Sequence, residues 1–358
     1  MANNNRWLIY GAYGYTGVLV AEEALRRGHK PVLAGRSADK LAPLAERLGL
    51  ESIVFDLSDE DAIAQKLSEF DLVFHAAGPF IHTSAPMVHA CLQSGTHYVD
   101  ITGEIPVFEH NFTLDQQAKQ QGIVLMSGVG FDVVPSDCLL KYLVEKIENP
   151  THLELAFASP DGTTSPGTTK SMLEHLPRGI FARQAGSLAR IDPKRQVRRI
   201  RFSDRERTVM PISWGDLATA YRSTGVPNIA VYTGLPAKLA SRLSKVLPIV
   251  RSLLSITPVR RLAQKWVEKN VKGPDEKTRT TARCFFWAKA ANEKGESVEA
   301  WLETPEGYHL TAVAGVRIVE KIFEQPYSGA LTPAQAFGAD FALKIPDIKR
   351  INNLEKDA

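Results

Sequence analysis

Cysteine is scarce in this chain. Its 358 residues include three, Cys91, Cys138 and Cys284, and no two of them form a Cys-x-x-Cys pair. An odd and widely spaced set argues against a disulfide framework and against a cysteine-rich zinc site. We therefore expect a reducing compartment and no bound metal.

Long apolar runs are also missing. The longest is five residues, Cys284 to Ala288, whereas a membrane-spanning helix needs about 20. The first residues lack the apolar region and the small-residue cleavage site of a secretory signal. We expect a cytoplasmic protein without a transmembrane segment.

Neither sign of charge is in large excess. The 43 Lys and Arg residues against 40 Asp and Glu leave a net charge of +3, which gives no general case for nucleic-acid binding. The basic residues are unevenly placed, because residues 178–207 hold ten of them against three acidic ones. That stretch either attracts an anionic substrate, an acidic membrane surface or a partner, or forms a solvated face.

Short apolar runs alternate with segments of helical period from residue 6 to about residue 147. The runs are continuous rather than alternating in polarity, which is typical of strands covered by helices on both faces. They are Trp7 to Tyr10, Pro31 to Ala34, Ser52 to Phe55, Leu72 to His75, His97 to Val99 and Ile123 to Met126. The pattern predicts an α/β fold with a Rossmann-type, doubly wound parallel sheet.

A glycine-rich turn directly follows the first of these strands and opens the first helix. Its spacing is G-x-x-G-x-x-G. Glycines there permit a sharp turn, close approach to a pyrophosphate and tight packing of helix on strand, while the helix N-terminus attracts the anion. The turn predicts a dinucleotide site made by Gly11, Tyr13, Gly14, Tyr15, Thr16 and Gly17.

The end of the second strand indicates which dinucleotide binds. Sites selective for NAD carry an acidic residue there, but this chain has Gly35-Arg36-Ser37. The Arg36 guanidinium and the Ser37 hydroxyl suit a 2′-phosphate, so we predict NADP. The alternative is that Arg36 is a solvated charge at the end of a strand.

Two later turns extend the predicted cofactor site. Asp56-Leu57 ends the third strand, where Asp56 either contacts the adenine amine or caps the helix that begins near Asp59. The small residues of Ala77-Gly78-Pro79, after the fourth strand, permit the backbone to approach the inner ribose and the pyrophosphate. A plain turn is the alternative for this segment.

Residues 236–270 have helical period, with apolar side chains on one side and scattered Lys and Arg on the other. We expect interruptions at Pro248 and Pro258. This segment packs within a second domain, lies at a lipid interface, lines a pocket for a long acyl substrate or forms a dimer interface.

Several separated motifs resemble the saccharopine dehydrogenase-like oxidoreductases, including the branch of trans-acting enoyl reductases. Besides the two cofactor motifs they are Cys91 to Glu104, Gly130 to Asp137, and Thr332-Pro333 with Ala336 to Gly338. The resemblance implies a dinucleotide-binding domain, a second α+β domain and a C-terminal segment that returns to the first. With the change of pattern after Pro150, we predict an NADP-binding domain at 1–148, a substrate or oligomerisation domain at 149–325 and a returning segment at 326–358.

Ligands of open parallel sheets bind outside the carboxyl ends of the strands. The residues expected to border that crevice are Phe80, Gly103, Glu104, Gly130, Phe131 and Asp132. Family members that act on amino acids carry a different segment in place of Thr102-Gly103-Glu104, so we do not expect saccharopine as the substrate.

The group that donates a proton is not identified by the sequence. Glu104 and Asp132 are candidate acids, but each also lies beside a glycine where a carboxylate can accept backbone hydrogen bonds. Ser127, Tyr142 and Lys146 imitate the Ser, Tyr and Lys set of short-chain dehydrogenases. We expect Tyr142 and Lys146 to lie on the flank of a buried helix, outside any site.

We therefore expect an NADP(H)-dependent oxidoreductase that transfers hydride to a C=C, C=N or C=O bond of a small or lipid-like metabolite. Two alternatives are a short-chain-type dehydrogenase that uses Tyr142 and Lys146, and a non-catalytic NADP-binding sensor or scaffold. Peripheral membrane contact and a homodimer are both compatible with the sequence.

Overall fold

A computed structural model describes residues 5–160 and 162–354. Residues 1–4 of the predicted first domain and residues 355–358 of the predicted returning segment lie outside the described residues.

The first part of the chain alternates strands and helices. Its strands are β1 (Trp7–Tyr10), β2 (Val32–Gly35), β3 (Ser52–Val54), β4 (Leu72–His75), β5 (His97–Asp100) and β6 (Val124–Met126). Its helices are α1 (Tyr15–Arg26), α2 (Ala38–Leu48), α3 (Glu60–Leu67), α4 (Phe80–Ser94), α5 (Ile105–Thr113), α6 (Asp115–Gln121) and α7 (Val134–Val144). Every residue of β1, β2 and β4 is buried, because helices cover both faces of the sheet.

The second part is richer in strands. They are β7 (Pro150–Ala158), β8 (Phe181–Gln184), β9 (Ser187–Arg190), β10 (Arg198–Arg201), β11 (Glu206–Pro211), β12 (Asn228–Leu235), β13 (Arg283–Asn292), β14 (Ser297–Pro305), β15 (Gly329–Ala330) and β16 (Lys349–Ile351). The helices are α8 (Pro166–His175), α9 (Asp216–Thr224), α10 (Ala237–Ser255), α11 (Thr257–Asn270), α12 (Glu276–Thr281), α13 (Gly307–Glu324) and α14 (Pro333–Phe337). Short 3-10 helices span Leu176–Arg178, Pro193–Gln196 and Ala342–Lys344.

The two sheets differ in topology. The first has the order β15-β6-β5-β4-β1-β2-β3 and is parallel throughout, so the predicted α/β fold with a doubly wound sheet is confirmed. Chain order reverses between β1 and β4, which places the ligand crevice at the carboxyl ends of these strands. The second sheet is mixed, in the order β10-β11-β12-β7-β13-β14-β16, and β8 pairs with β12 while β9 pairs with β8.

The chain returns to the first sheet earlier than the sequence prediction places it. Helix α13 packs on α1, and Leu310, Val316 and Val319 are fully buried in the core of the first domain. The prediction starts the return at residue 326, because an apolar helical stripe does not reveal which layer it covers. The segment after α13 then divides between the sheets, since β15 extends the first and β16 extends the second.

The segment 236–270 forms two helices rather than three pieces. Helix α10 continues through residue 248, so the interruption predicted there is wrong. The break falls at Ile256, and Pro258 lies in the first turn of α11, where a missing N–H is tolerated. Within the described ranges, no helix combines the length and the apolar character that crossing a bilayer requires.

Candidate active site

The turn between β1 and α1 requires glycine at two positions. Gly11 has a φ of +83°, and a Cβ there would lie 2.8 Å from the Cβ of Ala77 in the β4–α4 turn. A Cβ at Gly17 would lie 2.4 Å from the carbonyl oxygen of Gly11. Both distances are shorter than normal contacts, so side chains here would separate the two turns and lift α1 from β1.

The first turn of α1 presents backbone N–H groups without a side-chain cap. Gly14 is the N-cap, and the first turn contains no acidic residue. A Cβ at Gly14 would meet only the carbonyl oxygens of Gly11 and Ala76, at 3.1 and 3.9 Å. Because a helix N-terminus carries partial positive charge, this turn can hold a diphosphate against the backbone.

The other predicted residues of the turn lie beside it. The Tyr13 ring covers Gly35, where a Cβ would be 2.5 Å from the ring. Thr16 is half-buried in the first turn of α1. The Tyr15 phenol donates a hydrogen bond to the carbonyl oxygen of Pro274 at 2.5 Å. The Tyr15 side chain is thus engaged by the segment between α11 and α12.

Arg36 and Ser37 lie at the carboxyl end of β2 with unused polar groups. Arg36 is exposed, and within residues 5–160 and 162–354 its guanidinium forms no hydrogen bond or ion pair. Ser37 is the N-cap of α2, yet its hydroxyl forms no capping hydrogen bond. The next helix, α3, is capped by Asp59, which accepts from the N–H of Ala62 at 3.1 Å. A guanidinium, a hydroxyl and an open helix N-terminus are suited to a 2′-phosphate.

Asp56 lies at the exposed end of β3, next to the half-buried Leu57. Its carboxylate accepts from the hydroxyl of Ser58 and from the N–H of Ser58, the latter at 2.9 Å, and these bonds lower the pKa of Asp56. Because Asp59 caps α3, the alternative role of Asp56 as that cap is wrong. Contact of Asp56 and Leu57 with an adenine stays a prediction.

The β4–α4 turn borders the same edge of the sheet. Ala77 approaches Gly11, as described above, and the peptide bond between Gly78 and Pro79 is cis. Phe80 is buried, and its ring lies 3.2 Å from where a Cβ of Gly78 would be. The structure therefore brings together the two segments in which the sequence places the pyrophosphate and inner ribose.

Glu104 joins α4 to the second domain. Its two oxygens accept from the N–H groups of Phe80 and Ile81 at 2.9 and 2.8 Å, which caps α4. One oxygen also accepts from the Ser171 hydroxyl at 2.7 Å, and the other lies 3.0 Å from Nε2 of His175. Burial acts to raise the pKa of Glu104, but His175 and the hydrogen bonds outweigh it and lower the pKa. An ionised carboxylate with these partners suits a structural role, linking α4 to α8, better than the role of a proton donor.

Asp132 has the opposite surroundings. Its Oδ2 lies so close to Gly103 that a Cβ there would be 1.7 Å away. Its Oδ1 is shielded from solvent and has no hydrogen-bond partner among the described residues, although the residue as a whole is half-buried. Burial raises the pKa of Asp132 well above its ordinary value, the Asp216 carboxyl raises it further, and Trp214 opposes the rise. Burial and Asp216 therefore both favour the protonated form of Asp132.

Asp216 is fully buried at the start of α9, and sequence reasoning missed it. Neither of its oxygens has a hydrogen-bond partner in the described part of the chain. Burial raises the pKa of Asp216 to about 7, and the nearby Ser136 opposes the rise. The Ser136 hydroxyl itself donates to the carbonyl oxygen of Val133 at 3.1 Å. The only signal in the sequence is an acidic residue after Gly215, a pattern too common to identify a site.

Phe131, the residue before Asp132, packs on aromatic side chains of the second domain. The Phe131 ring packs on Phe157 and Phe286, with centroid distances of 6.0 and 5.3 Å, and Phe157 packs on Trp214 at 4.7 Å. The N–H of Phe131 donates to the Thr311 hydroxyl at 3.0 Å. Gly130 permits this approach, because a Cβ there would lie 2.6 Å from the same threonine. An aromatic cluster that joins the two domains therefore begins next to Asp132.

The short-chain dehydrogenase set is not assembled. The Ser127 hydroxyl donates to Asp100 at 2.8 Å and accepts from Asn111 at 2.9 Å, in a buried network. The Tyr142 ring lies elsewhere, with the Arg350 guanidinium 3.6 Å and the Lys146 ammonium 5.2 Å from its centroid.

Many residues of the basic stretch 178–207 have acidic partners. Arg183 is 4% exposed and pairs with Glu109, while Arg198 pairs with Glu154 at 2.6 Å. Arg207 contacts Asp204 at 2.5 Å. These pairs favour a structural role for the stretch over an open anion site.

Residues 7–126 match the family model of the saccharopine dehydrogenase NADP binding domain. This part of the chain is similar to that family. The match confirms the predicted family resemblance and the predicted class of cofactor, NADP.

Curated relatives of this saccharopine dehydrogenase-type domain are named as oxidoreductases. A trans-acting enoyl reductase of Mycobacterium ulcerans is 30% identical over 157 residues, which are 42% of this chain and 38% of that protein. A saccharopine dehydrogenase-like oxidoreductase of Bos taurus is 27% identical over 160 residues, 39% of this chain and 37% of that protein. The matched region thus spans about two fifths of each relative's length.

Two solved structures share the fold over nearly the whole chain. Saccharopine dehydrogenase (L-Glu forming) of Saccharomyces cerevisiae aligns with a TM-score of 0.64 at 13% identity, covering 97% of this chain and 100% of that one. Homospermidine synthase of Legionella pneumophila aligns with a TM-score of 0.61 at 10% identity, covering 98% and 92%. At these identities the likeness supports the two-domain fold and nothing finer.

Proposed function

We propose that this protein is an NADPH-dependent reductase in which Asp132 donates the proton that accompanies hydride transfer. The observation that supports this most strongly is a solvent-shielded carboxyl oxygen of Asp132 without a hydrogen-bond partner among the described residues. It belongs to a loop that follows a strand of the cofactor-binding sheet. Perturbed carboxyls in such crevices are candidates for general acids.

Four features would hold the cofactor. The open N–H groups of the first turn of α1 bind the pyrophosphate, and Gly11 and Gly17 permit its close approach. Arg36 and Ser37 bind the 2′-phosphate at the N-terminus of α2. Bound NADPH supplies hydride at the nicotinamide, with two electrons and no need for a protein nucleophile.

The second domain keeps the carboxyl of Asp132 protonated. Burial and the Asp216 carboxyl at the start of α9 both raise its pKa. The adjacent Phe131 packs on Phe157, which packs on Trp214. On reduction of a polarised double bond, hydride adds to one atom and the Asp132 proton adds to the other. NADP and the Asp132 carboxylate result, and the carboxylate then regains a proton from solvent.

The apolar surroundings of Asp132 favour an uncharged reacting group on a small or lipid-like metabolite. Among C=C, C=N and C=O bonds, the relatives named as trans-acting enoyl reductases favour a C=C bond conjugated to a carbonyl. Neutral, polarisable acceptors of this type need an acid rather than a base, which agrees with a carboxyl of raised pKa.

The test is NADPH oxidation with a panel of unsaturated thioesters, ketones and imines. Asp132→Asn should lower kcat by roughly 10²–10⁴-fold, the usual contribution of a general acid, without weakening NADPH binding. In the native enzyme kcat should fall as pH rises through the pKa of Asp132, and the variant should lack this fall. Asp61→Asn, an exposed substitution on α3, is the matched control.

Two results would contradict the proposal. Native turnover in Asp132→Asn would remove the assigned proton donor. Tight NADPH binding with no oxidation by any acceptor would favour the sensor or scaffold alternative.

A further inference from the structure

Helices α10 and α11 each carry an apolar stripe that no part of the described chain covers. The stripes have the same spacing of i, i+3 and i+7, formed by Val246, Ile249 and Leu253 on α10 and by Val259, Leu262 and Trp266 on α11. We call these six residues the α10–α11 face. Leu262 is 70% exposed, Ile249 63% and Trp266 61%.

Exposed large apolar side chains are concentrated on and between α10 and α11 rather than spread over the molecule. Of thirteen exposed large apolar side chains found within residues 5–160 and 162–354, seven lie between positions 246 and 266. The hairpin is nevertheless anchored, because α11 packs on α8, α10 packs on the 3-10 helix Leu176–Arg178, and Leu254 and Val267 are buried. Both helices therefore have one packed stripe and one open stripe, and an open stripe of this size indicates an interaction surface.

The charge around the face has one sign. Residues 237–270 contain eight Lys and Arg and a single acidic residue, Glu268, which is a net charge of +7 in a chain of +3. Lys265 and Lys269 follow Leu262 and Trp266 by three residues each, so they flank the α11 stripe. Neither lysine has an ion-pair partner among the residues that the structure describes.

We propose that the α10–α11 face docks on a bilayer surface that contains anionic lipids. Amphipathic helices with Trp and Leu on one side and lysines beside them bind at the interface between headgroups and acyl chains, and anionic lipids attract the lysines. Charge complementarity favours this occupant over a second copy of the chain, since the exposed Lys265 and Lys269 of two copies would repel each other. The single acidic residue, Glu268, forms an ion pair with Lys170 on α8 at 3.1 Å.

The docked face adjoins the crevice. Lys170 lowers the pKa of Glu268 most, and the charges of Lys40 and Arg36 lower it further, which indicates that the last turn of α11 lies near the predicted 2′-phosphate site. The segment after α11 holds Tyr15 through Pro274. The docking proposal stands independently of the proposed reaction, but it would place a lipid-like substrate next to the reductase site.

Sedimentation of the full chain with vesicles tests the proposal. We expect binding to vesicles of phosphatidylcholine with phosphatidylserine, weaker binding to phosphatidylcholine alone, and a decrease with added salt. Leu262→Ser with Trp266→Ser, and separately Lys265→Glu with Lys269→Glu, should each reduce binding by about tenfold or more. The matched controls are Val54→Ser and Lys66→Glu, exposed substitutions in the first domain that should bind as the native chain does.

Circular dichroism and NADPH affinity show whether the variants remain folded. The proposal is overturned if the native chain binds neither kind of vesicle, or if the double variants bind like the controls. It is also overturned if the native chain is a dimer in solution that Leu262→Ser with Trp266→Ser dissociates, because the face would then be covered by a second copy.

Discussion

The polar groups on the two sides of the crevice differ in their exposure to water. On the predicted cofactor side, within the described residues, Arg36 is exposed and unpaired, the Ser37 hydroxyl caps no N–H group, and the first turn of α1 has no side-chain cap. On the opposite side, Oδ1 of Asp132 and both oxygens of Asp216 are shielded from water and have no hydrogen-bond partner in the described part of the chain. Accessible groups remain hydrated at little cost until an anion binds, whereas a buried carboxyl without partners destabilises the fold unless it is protonated.

This difference separates two kinds of function. Solvated groups of one sign suit reversible binding of a charged ligand, because binding only replaces water. Carboxyls kept in an apolar environment suit proton transfer, because the environment sets their pKa. Substitution of Arg36 tests the first side and substitution of Asp216 tests the second. Substitution of Tyr142, on α7, tests a residue outside both.

Of the substitutions at Arg36, Asp216 and Tyr142, Arg36→Ala should have the largest effect. It should weaken binding of the cofactor and change nothing on the other side of the crevice. Loss of a charge-assisted contact weakens NADPH binding by roughly 1–3 kcal/mol, while NADH, which has no 2′-phosphate, is bound as before. Fluorescence titration with both nucleotides measures this. Arg47→Ala, at the other end of α2, is the control. Equal losses for both nucleotides would show that Arg36 is a solvated charge without a role in selectivity.

Asp216→Asn, on the side of the crevice that carries the buried carboxyls, should alter how the stability of the fold depends on pH. The pKa of Asp216 is raised to about 7, so the folded chain retains a proton that the unfolded chain releases above the ordinary value of 3.8. The folded state is therefore favoured most at low pH and loses this advantage as pH rises through about 7. Native Tm should fall by several degrees between about pH 5 and about pH 8, and the variant should show a smaller fall.

Asp100 and Asp137, whose pKa values burial raises to about 6, contribute in the same direction and remain in the variant. Asp61→Asn should leave the native pH dependence unchanged. A variant with the same fall in Tm as the native chain would mean that Asp216 is not the buried acid described above.

Tyr142→Phe should have the smallest effect. The ring lies under Arg350 and outside the crevice, so removal of its hydroxyl should change kcat by about twofold or less. Steady-state NADPH oxidation measures this. A loss of about 10²-fold or more would instead support the short-chain dehydrogenase mechanism.

Local patterns were sufficient to predict the strands and helices of the first sheet and the turns at its carboxyl edge. Its strands are continuous apolar runs, and the glycines of the first turn and Arg36 all lie within residues 11–36, so their proximity follows from one βαβ unit. The predicted order of strands and helices over residues 6–147 agrees with the structure for the same reason.

Long-range packing decided the rest. Asp216 meets Asp132 only because α9 packs on α7, and an isolated acidic residue carries no signal of that contact. The contacts of Glu104 with Ser171 and His175 depend in the same way on α8 packing near Glu104. The layer that α13 covers could not be read from its apolar stripe, because either domain offers a complementary surface.

The central claim is that the β1–α1 turn, with Arg36 and Ser37, binds NADPH. Calorimetric titration of the native chain with NADPH and with NADH tests it most directly. We expect saturable binding of both at a stoichiometry of about one, with NADPH tighter by roughly tenfold or more. The absence of a saturable signal with either nucleotide, or tighter binding of NADH, would contradict the account.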